Sequence, residues 1–251
     1  MKISVITAVY NRAATVGESL RSSCDQRHAD IERVVIDGGS TDGTMDVLQS
    51  FGDRIDTLVS EADQGIYDAL NKGIAVARGD VIGFLHADDL FSDDAALSRV
   101  AATMTDPSVA AVYGDLIYVS KDQPDRVVRD WRAGEFSPAK LRRGWMPPHP
   151  TLYVRRSVFE SVGRFDTTLR IAADYDWMLR LLLAGHRLAY IPQVQVRMRT
   201  GGASNRSVGN IMRKSGEDFA ALRRNGFSVA GATTTLMAKN LRKLPQLVRR
   251  R

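Results

Sequence analysis

A chain of 251 residues with 44% hydrophobic and 25% charged side chains can bury a sizeable core, and the lack of a Gly/Ser-rich or Pro-rich linker favours one main domain. Its single cysteine, Cys24, excludes an intramolecular disulfide and a Cys-based zinc site, which fits a reducing cytoplasm. The formal charge of +6 is concentrated in Lys239, Arg242, Lys243, Arg249, Arg250 and Arg251, with no acid among them; no aromatic-interleaved basic platform points to nucleic acid, and anionic lipid is the expected partner.

The opening MKISVITAVYNR contains a short apolar run without a small-residue cleavage site after it. Its β-branched Ile3, Val5, Ile6, Thr7 and Val9 suit a first buried strand rather than a signal peptide. A helix is expected from about Ala13 to Asp25, then a strand at IERVVID, a helix after Ser40 and a strand at IDTLVS. A helix from about Gly65 to Ala77 and a strand at DVIGFLHA follow. This β-α-β-α-β-α-β alternation predicts an α/β fold with a Rossmann-like, mostly parallel sheet flanked by helices. Ligands of such sheets bind beyond the carboxyl ends of the strands, where NR, DGGSTDGT, SEADQG and HADD all fall.

That rim gathers Asp37, Asp42, Asp63, Asp68, Asp88 and Asp89. Helix capping accounts for part of it: Asp88 and Asp89 precede SDDAALSRVAATM, and Ser40 and Asp42 precede the second helix. The other reading is a divalent cation held by carboxylates, together with a ligand rich in hydroxyl and N–H donors, such as a nucleotide carrying a sugar. Asp68 and Asn71 share a helical face beside Lys72. Asp63 and Gly65 lie at that helix's start, where backbone N–H groups favour anions.

Past Pro107 a strand is expected at VAAVYGDLIYV, with a hairpin to RVVRDW and a loop at GWMPPHPTLYV. An amphipathic helix at DYDWMLRLLLAG places Trp177, Leu181 and Leu182 on one face. A strand at RLAYI, a Gly/Ser loop at RTGGAS and helix to the end complete the chain. No stretch reaches the roughly 18 to 20 apolar residues that span a bilayer.

The ordered set SVITAVYNR, VIDGGSTDGT, SEADQGIYDALNKGIAVARGD, FLHADD and AADYDWMLRL resembles the family 2 glycosyltransferases of the GT-A fold, of the bacterial polysaccharide or lipopolysaccharide-assembly type. It covers roughly Lys2 to Ser204, dividing the chain into a GT-A domain over 1–204 and a helical, basic C-terminal extension over 205–251. The resemblance implies an inverting, metal-dependent transfer from a nucleoside diphosphate sugar to a glycan or lipid-linked hydroxyl. Thr7, Val9, Asn11 and Asp37 match base-binding positions, and Asp63, Gly65, Asp68 and Asn71 would face the diphosphate or sugar. Asp88 would meet the ribose, while Asp89 would coordinate Mn²⁺ or Mg²⁺. His149 would complete the metal site, or it is simply a packed residue between prolines. Asp174 aligns with the general base, although Ala173-Asp174 replaces the usual Glu-Asp and leaves Asp176 as the other choice.

Two further classes differ in what the sequence must carry. A sugar-1-phosphate nucleotidyltransferase needs a Gly-rich N-terminal loop that is missing here, and Walker and GxGxxG patterns are absent too. A non-catalytic sugar-nucleotide-binding protein would share the motifs without turnover. In the tail, Met237, Leu241, Leu244 and Val248 recur at helical spacing between basic residues. This stripe would either dock on the domain or rest on anionic lipid at the inner face of the plasma membrane.

Overall fold

The structure, a computed structural model, describes residues 1–201 and 208–242. Its N-terminal half follows the expected alternation. Strands β1 (Ile3–Val9), β2 (Ile31–Asp37), β3 (Thr57–Ser60) and β4 (Val81–Phe84) alternate with helices α1 (Ala13–Cys24), α2 (Thr44–Gln49) and α3 (Ile66–Val76). These strands pair in parallel in the order β3-β2-β1-β4. Every residue of β1 and β4 is buried, as helices on both faces of a parallel sheet require. Val9 sits opposite Asp37, so the polar segments after β1 and β2 emerge side by side.

Beyond β4 the sheet turns mixed. The remaining strands are β5 (Leu90–Phe91), β6 (Ala111–Val119), β7 (Val127–Trp131), β8 (Tyr153–Arg155) and β9 (Leu188–Arg199). The main path continues β4-β8-β6-β9-β5, and β7 pairs with β6 as the expected hairpin. The β8 strand is antiparallel to both β4 and β6, a position that the loop-like GWMPPHPTLYV conceals. Gly83 makes room for it, because a side chain there would collide with the Tyr153 ring of the paired residue. The β9 strand runs parallel to β6 and extends well past the expected RLAYI. Its register shifts at Gly114 and Asp115, opposite the segment that contains Pro192, where a missing backbone donor is tolerated at a bulge.

Helices α4 (Ala96–Thr103), α5 (Pro138–Leu141), α6 (Arg156–Val162) and α7 (Ala173–Leu183) complete the main body. Trp177, Leu181 and Leu182 of α7 are buried as the periodicity predicts. Helices α8 (Val208–Arg224) and α9 (Val229–Leu241) form a hairpin. It turns at Gly226 with φ +86° and at Ser228, whose hydroxyl accepts the Gly231 N–H at 3.0 Å. Ala221, Leu222 and Ala232 join the same apolar cluster as α7, so the described part of the C-terminal extension shares the core of the main body. The RTGGAS segment beyond Gly201, and Lys243, Leu244, Val248 and Arg249 to Arg251, lie outside the described residues.

Candidate active site

The first wall of the cleft is the loop after β2. Asp37 is fully buried at the strand end. Its carboxylate accepts the N–H groups of Gly39 and Ser40 at 3.1 Å each and the Ser60 hydroxyl at 2.7 Å. Across from it, Val9 contributes its carbonyl to the Gly38 N–H at 2.9 Å. Asn11 has φ 51°, a left-handed conformation that Asn tolerates. Its N–H donates to Ser40 Oγ and its Oδ1 accepts from the Thr41 N–H. Thr7 is buried in β1 beneath this clamp. Asp42 lies beside the starts of α1 and α2 without being the N-cap residue of either: it accepts the N–H groups of Ala13 and Thr44 and the Thr44 hydroxyl, and those bonds hold its carboxyl below the usual range.

The start of α3 forms the second wall. Gly65, at φ +122°, receives no side-chain cap, while Asp63 Oδ1 accepts its N–H at 2.9 Å. The Asp63 carboxylate lies over Gly38, where a Cβ would strike it. Asp68 folds back onto the Gln64 N–H at 3.1 Å and pairs with Lys72. The side chains of Asp68 and Asn71 both make hydrogen bonds within the protein. Asn71 donates to the Phe165 carbonyl at 2.9 Å and accepts the Phe165 N–H at 3.0 Å, which stitches α3 to the chain before α7.

Asp88 and Asp89 cap no helix: Asp93 accepts the Ala95 N–H before α4. The two carboxylates differ sharply in setting. Asp89 is 1% exposed, with Oδ1 accepting the Arg199 N–H at 3.2 Å and Oδ2 buried without a partner. Burial, reinforced by the charge of Asp88, pushes its carboxyl well up. Asp88 is half-buried and its carboxylate has no hydrogen-bond partner among the described residues. Of the two, Asp88 is the more exposed and Asp89, the expected metal ligand, lies beneath the surface.

His86 and His149 form the floor. The rings lie 6.0 Å apart, and His149 stacks on Phe84 at 5.4 Å and meets Phe165 edge-on at 5.9 Å. His149 is 8% exposed with both ring nitrogens unpartnered, and burial lowers its pKa to about 4. It is a neutral, packed ring. His86, which sequence reading passed over although it opens the HADD cluster, also has its pKa lowered by burial; Asp88 and then Asp174 oppose that shift.

On the opposite side, Asp174 occupies the first turn of α7. Its Oδ1 accepts the Tyr175 N–H at 2.8 Å and lies 3.0 Å from the Tyr67 hydroxyl, a donor it shares with the Ile171 carbonyl at 2.7 Å, and Oδ2 has no hydrogen-bond partner among the described residues. Burial and the Asp174 charge raise the Tyr67 pKa strongly, so Tyr67 stays protonated as a donor. Asp176 has both oxygens occupied, by Arg180 Nε at 2.9 Å and Asn225 at 3.0 Å. Glu217 of α8 fixes the entrance to α7 by accepting the N–H groups of Arg170, Ile171 and Ala172.

Among the described residues, no three His, Cys, Asp or Glu side chains gather closely enough to hold a metal alone. An unbonded Asp88 carboxylate above a buried, half-satisfied Asp89 does fit Mg²⁺ or Mn²⁺, which are commonly held by one or two carboxylates plus a ligand's phosphates.

Known proteins resemble this chain in sequence and in fold. The chain is 34% identical over 182 residues to a PGL/p-HBAD biosynthesis glycosyltransferase of Mycobacterium bovis, covering 70% of this chain and 68% of that one. It is 33% identical over 187 residues to an uncharacterized glycosyltransferase of Nostoc sp., covering 69% and 57%. The fold matches S. aureus TarS 1-349 in complex with UDP-GlcNAc, with TM-score 0.72 and 17% identity over 98% of this chain and 73% of that one. It also matches a mannosyltransferase from Pyrobaculum calidifontis in complex with GDP-Man and Mn²⁺, with TM-score 0.69 and 22% identity over 98% and 72%. The expected GT-A fold is the fold found. The model of glycosyl transferase family 2 matches residues 4–165, and with these relatives it places the chain: it belongs to glycosyl transferase family 2.

Proposed function

We propose that this glycosyltransferase moves a sugar from a nucleoside diphosphate sugar to a hydroxyl of a glycan or lipid-linked acceptor in cell-surface polysaccharide synthesis, with inversion at the anomeric carbon. The observation that carries the reading is Asp174, whose Oδ2 has no hydrogen-bond partner among the described residues and whose charge acts, together with that of Asp88, on the buried His86. Asp174 takes the acceptor hydroxyl's proton while that oxygen attacks the anomeric carbon from the side opposite the leaving diphosphate. Tyr67 holds the other oxygen and so orients the base.

Asp37 acts through the loop it holds. Its oxygens are already engaged, so a donor base is read by the 38–41 backbone that Asp37, Val9 and Asn11 shape over Thr7. Asp63, which holds the Gly65 N–H, and the start of α3 face the diphosphate, and Asp68 sets that turn. Asp88 would hold Mn²⁺ or Mg²⁺, which when bound neutralises charge on the departing nucleoside diphosphate. Asp89 supports it from below, and His149 belongs to the floor. Melting-temperature shifts with UDP, GDP and dTDP sugars, with and without Mn²⁺, will identify the donor. Donor release on adding acceptor hydroxyls then tests turnover; donor binding with no transfer to any acceptor would make the protein a sugar-nucleotide-binding module.

Peripheral contact with an anionic membrane is the second element of the proposal. Met237 and Leu241 are 63% and 64% exposed, so they do not dock on the domain. Arg242 Nε donates to the Arg143 carbonyl at 2.9 Å, which brings exposed Arg142 and Arg143 beside the end of α9. Each such charge near a lipid surface contributes about 1 kcal/mol. No helix among the described residues is long and apolar enough to cross a membrane.

A further inference from the structure

The turn that carries Asp88 is clamped from two sides. From α1, the Ser19 hydroxyl donates to the His86 carbonyl at 2.9 Å. From the end of β9, Arg199 donates its backbone N–H to Asp89 Oδ1 at 3.2 Å and its Nη1 to the Asp88 carbonyl at 3.1 Å. Its Nη2 pairs with Glu18 of α1. The Arg199 side chain is 4% exposed and that of Glu18 53%. The short β5 strand, paired antiparallel with β9 through Leu90 opposite Arg197, delivers Asp89 to this end of β9. The His86 and Asp88 carbonyls and Asp89 Oδ1 are thereby engaged, while the Asp88 carboxylate takes part in none of these bonds.

We infer that Arg199 is a positioning residue for the cation and diphosphate site: its N–H and guanidinium fix the Asp88-Asp89 turn so that the Asp88 carboxylate alone meets the cleft, and Glu18 holds the guanidinium in place. This rests on the reading of Asp88 as the cation-holding carboxylate. The rival account is that Arg199 merely offsets the charge of buried Asp89. The two accounts differ in sign. Removing a nearby positive charge alone would tighten cation binding, whereas releasing the turn weakens it. They also differ over lysine, which keeps the charge but lacks the planar fork that spans Asp88 and Glu18.

The test measures free Mn²⁺ by electron paramagnetic resonance during titration of the full chain with pyrophosphate, UDP or GDP present, alongside melting temperature and the separate KM values for donor and acceptor. Arg199→Lys and Arg199→Gln are both expected to weaken Mn²⁺ binding on the order of 10- to 100-fold, as loss of groups supporting metal ligands does, and to leave the acceptor KM unchanged. Glu18→Gln, at the surface, should weaken it by a smaller factor without loss of melting temperature. Tighter binding in Arg199→Gln, or wild-type binding in Arg199→Lys, overturns the inference. If the Arg199 variants do not fold, unchanged Mn²⁺ affinity in Glu18→Gln overturns it. A wild-type chain that binds no Mn²⁺ with any of the three probes overturns the donor-site reading, and the inference with it.

Discussion

Replacing either carboxylate of the DYD segment by its amide separates chemistry from architecture. In Asp174→Asn the amide oxygen continues to accept from Tyr67 and from the Tyr175 N–H, and the new NH₂ occupies the place of the unbonded oxygen. Folding should be nearly unaffected. The site loses only its capacity to take a proton, which corresponds to a fall in turnover of about 10²- to 10⁴-fold, or roughly 3 to 5 kcal/mol in the barrier. In Asp176→Asn the NH₂ must confront either Arg180 or Asn225, both of them donors. A buried donor left facing a donor costs about 1 to 3 kcal/mol, hence a fall in melting temperature on the order of 5 °C for a chain of this size, with turnover close to wild type. Single-turnover kinetics with saturating donor, paired with thermal unfolding by circular dichroism, reads both quantities. Turnover that survives in Asp174→Asn and disappears in Asp176→Asn would refute the assignment of the base.

The neutral His149 makes stability depend on acid pH. Its folded pKa of about 4 lies below the ordinary 6.5, so the unfolded chain binds more protons between those values. Its contribution, present above pH 6.5, is lost as pH falls towards 4, by up to roughly 3 kcal/mol. His149→Phe keeps the stacking and should flatten that part of the urea-midpoint profile; an unchanged profile would contradict a buried neutral ring. Gly38→Ala drives a methyl into the Asp63 carboxylate and should raise donor KM several-fold with little change in melting temperature, and an unaltered donor KM would remove Asp63 from the donor site. For the membrane surface, the chain should be shortened at Arg242, which keeps the Lys239–Asp218 ion pair at 2.8 Å. Full-length protein should sediment with anionic vesicles at low salt, and the shortened form with Arg142→Gln and Arg143→Gln should not; equal sedimentation would exclude this surface.

The parallel half of the sheet and its polar rim were legible because each strand, its helix and the loop between them are local in sequence. What lay hidden depends on distant partners. Helical spacing correctly puts Asp68 and Asn71 on one face, but Phe165, which claims Asn71, is 94 residues away. Adjacent Asp88 and Asp89 cannot be ranked by sequence until β5 pairs with β9 and turns one of them inward. The β8 strand has three residues between proline-rich loop and helix, too few for a periodic signal, and its central place depends on the space left by Gly83. Arg199 and Glu217 carry no motif at all. His86 was within reach, since it sits in the cluster that drew attention to Asp88.

The bonds from Glu217 to the backbone at Arg170, Ile171 and Ala172 bear on how such enzymes can be recombined. The family match ends at residue 165, which invites a splice near there to graft another relative's acceptor preference onto this donor half. The incoming piece must then bring its own α8 with it, because a helix carrying the proposed base but deprived of that carboxylate would enter with three amides unanswered. On the proposed roles, a crossover placed between α7 and α8 would unite an intact donor site with a misaimed base, and the hybrid is expected to bind nucleotide sugar yet turn over poorly.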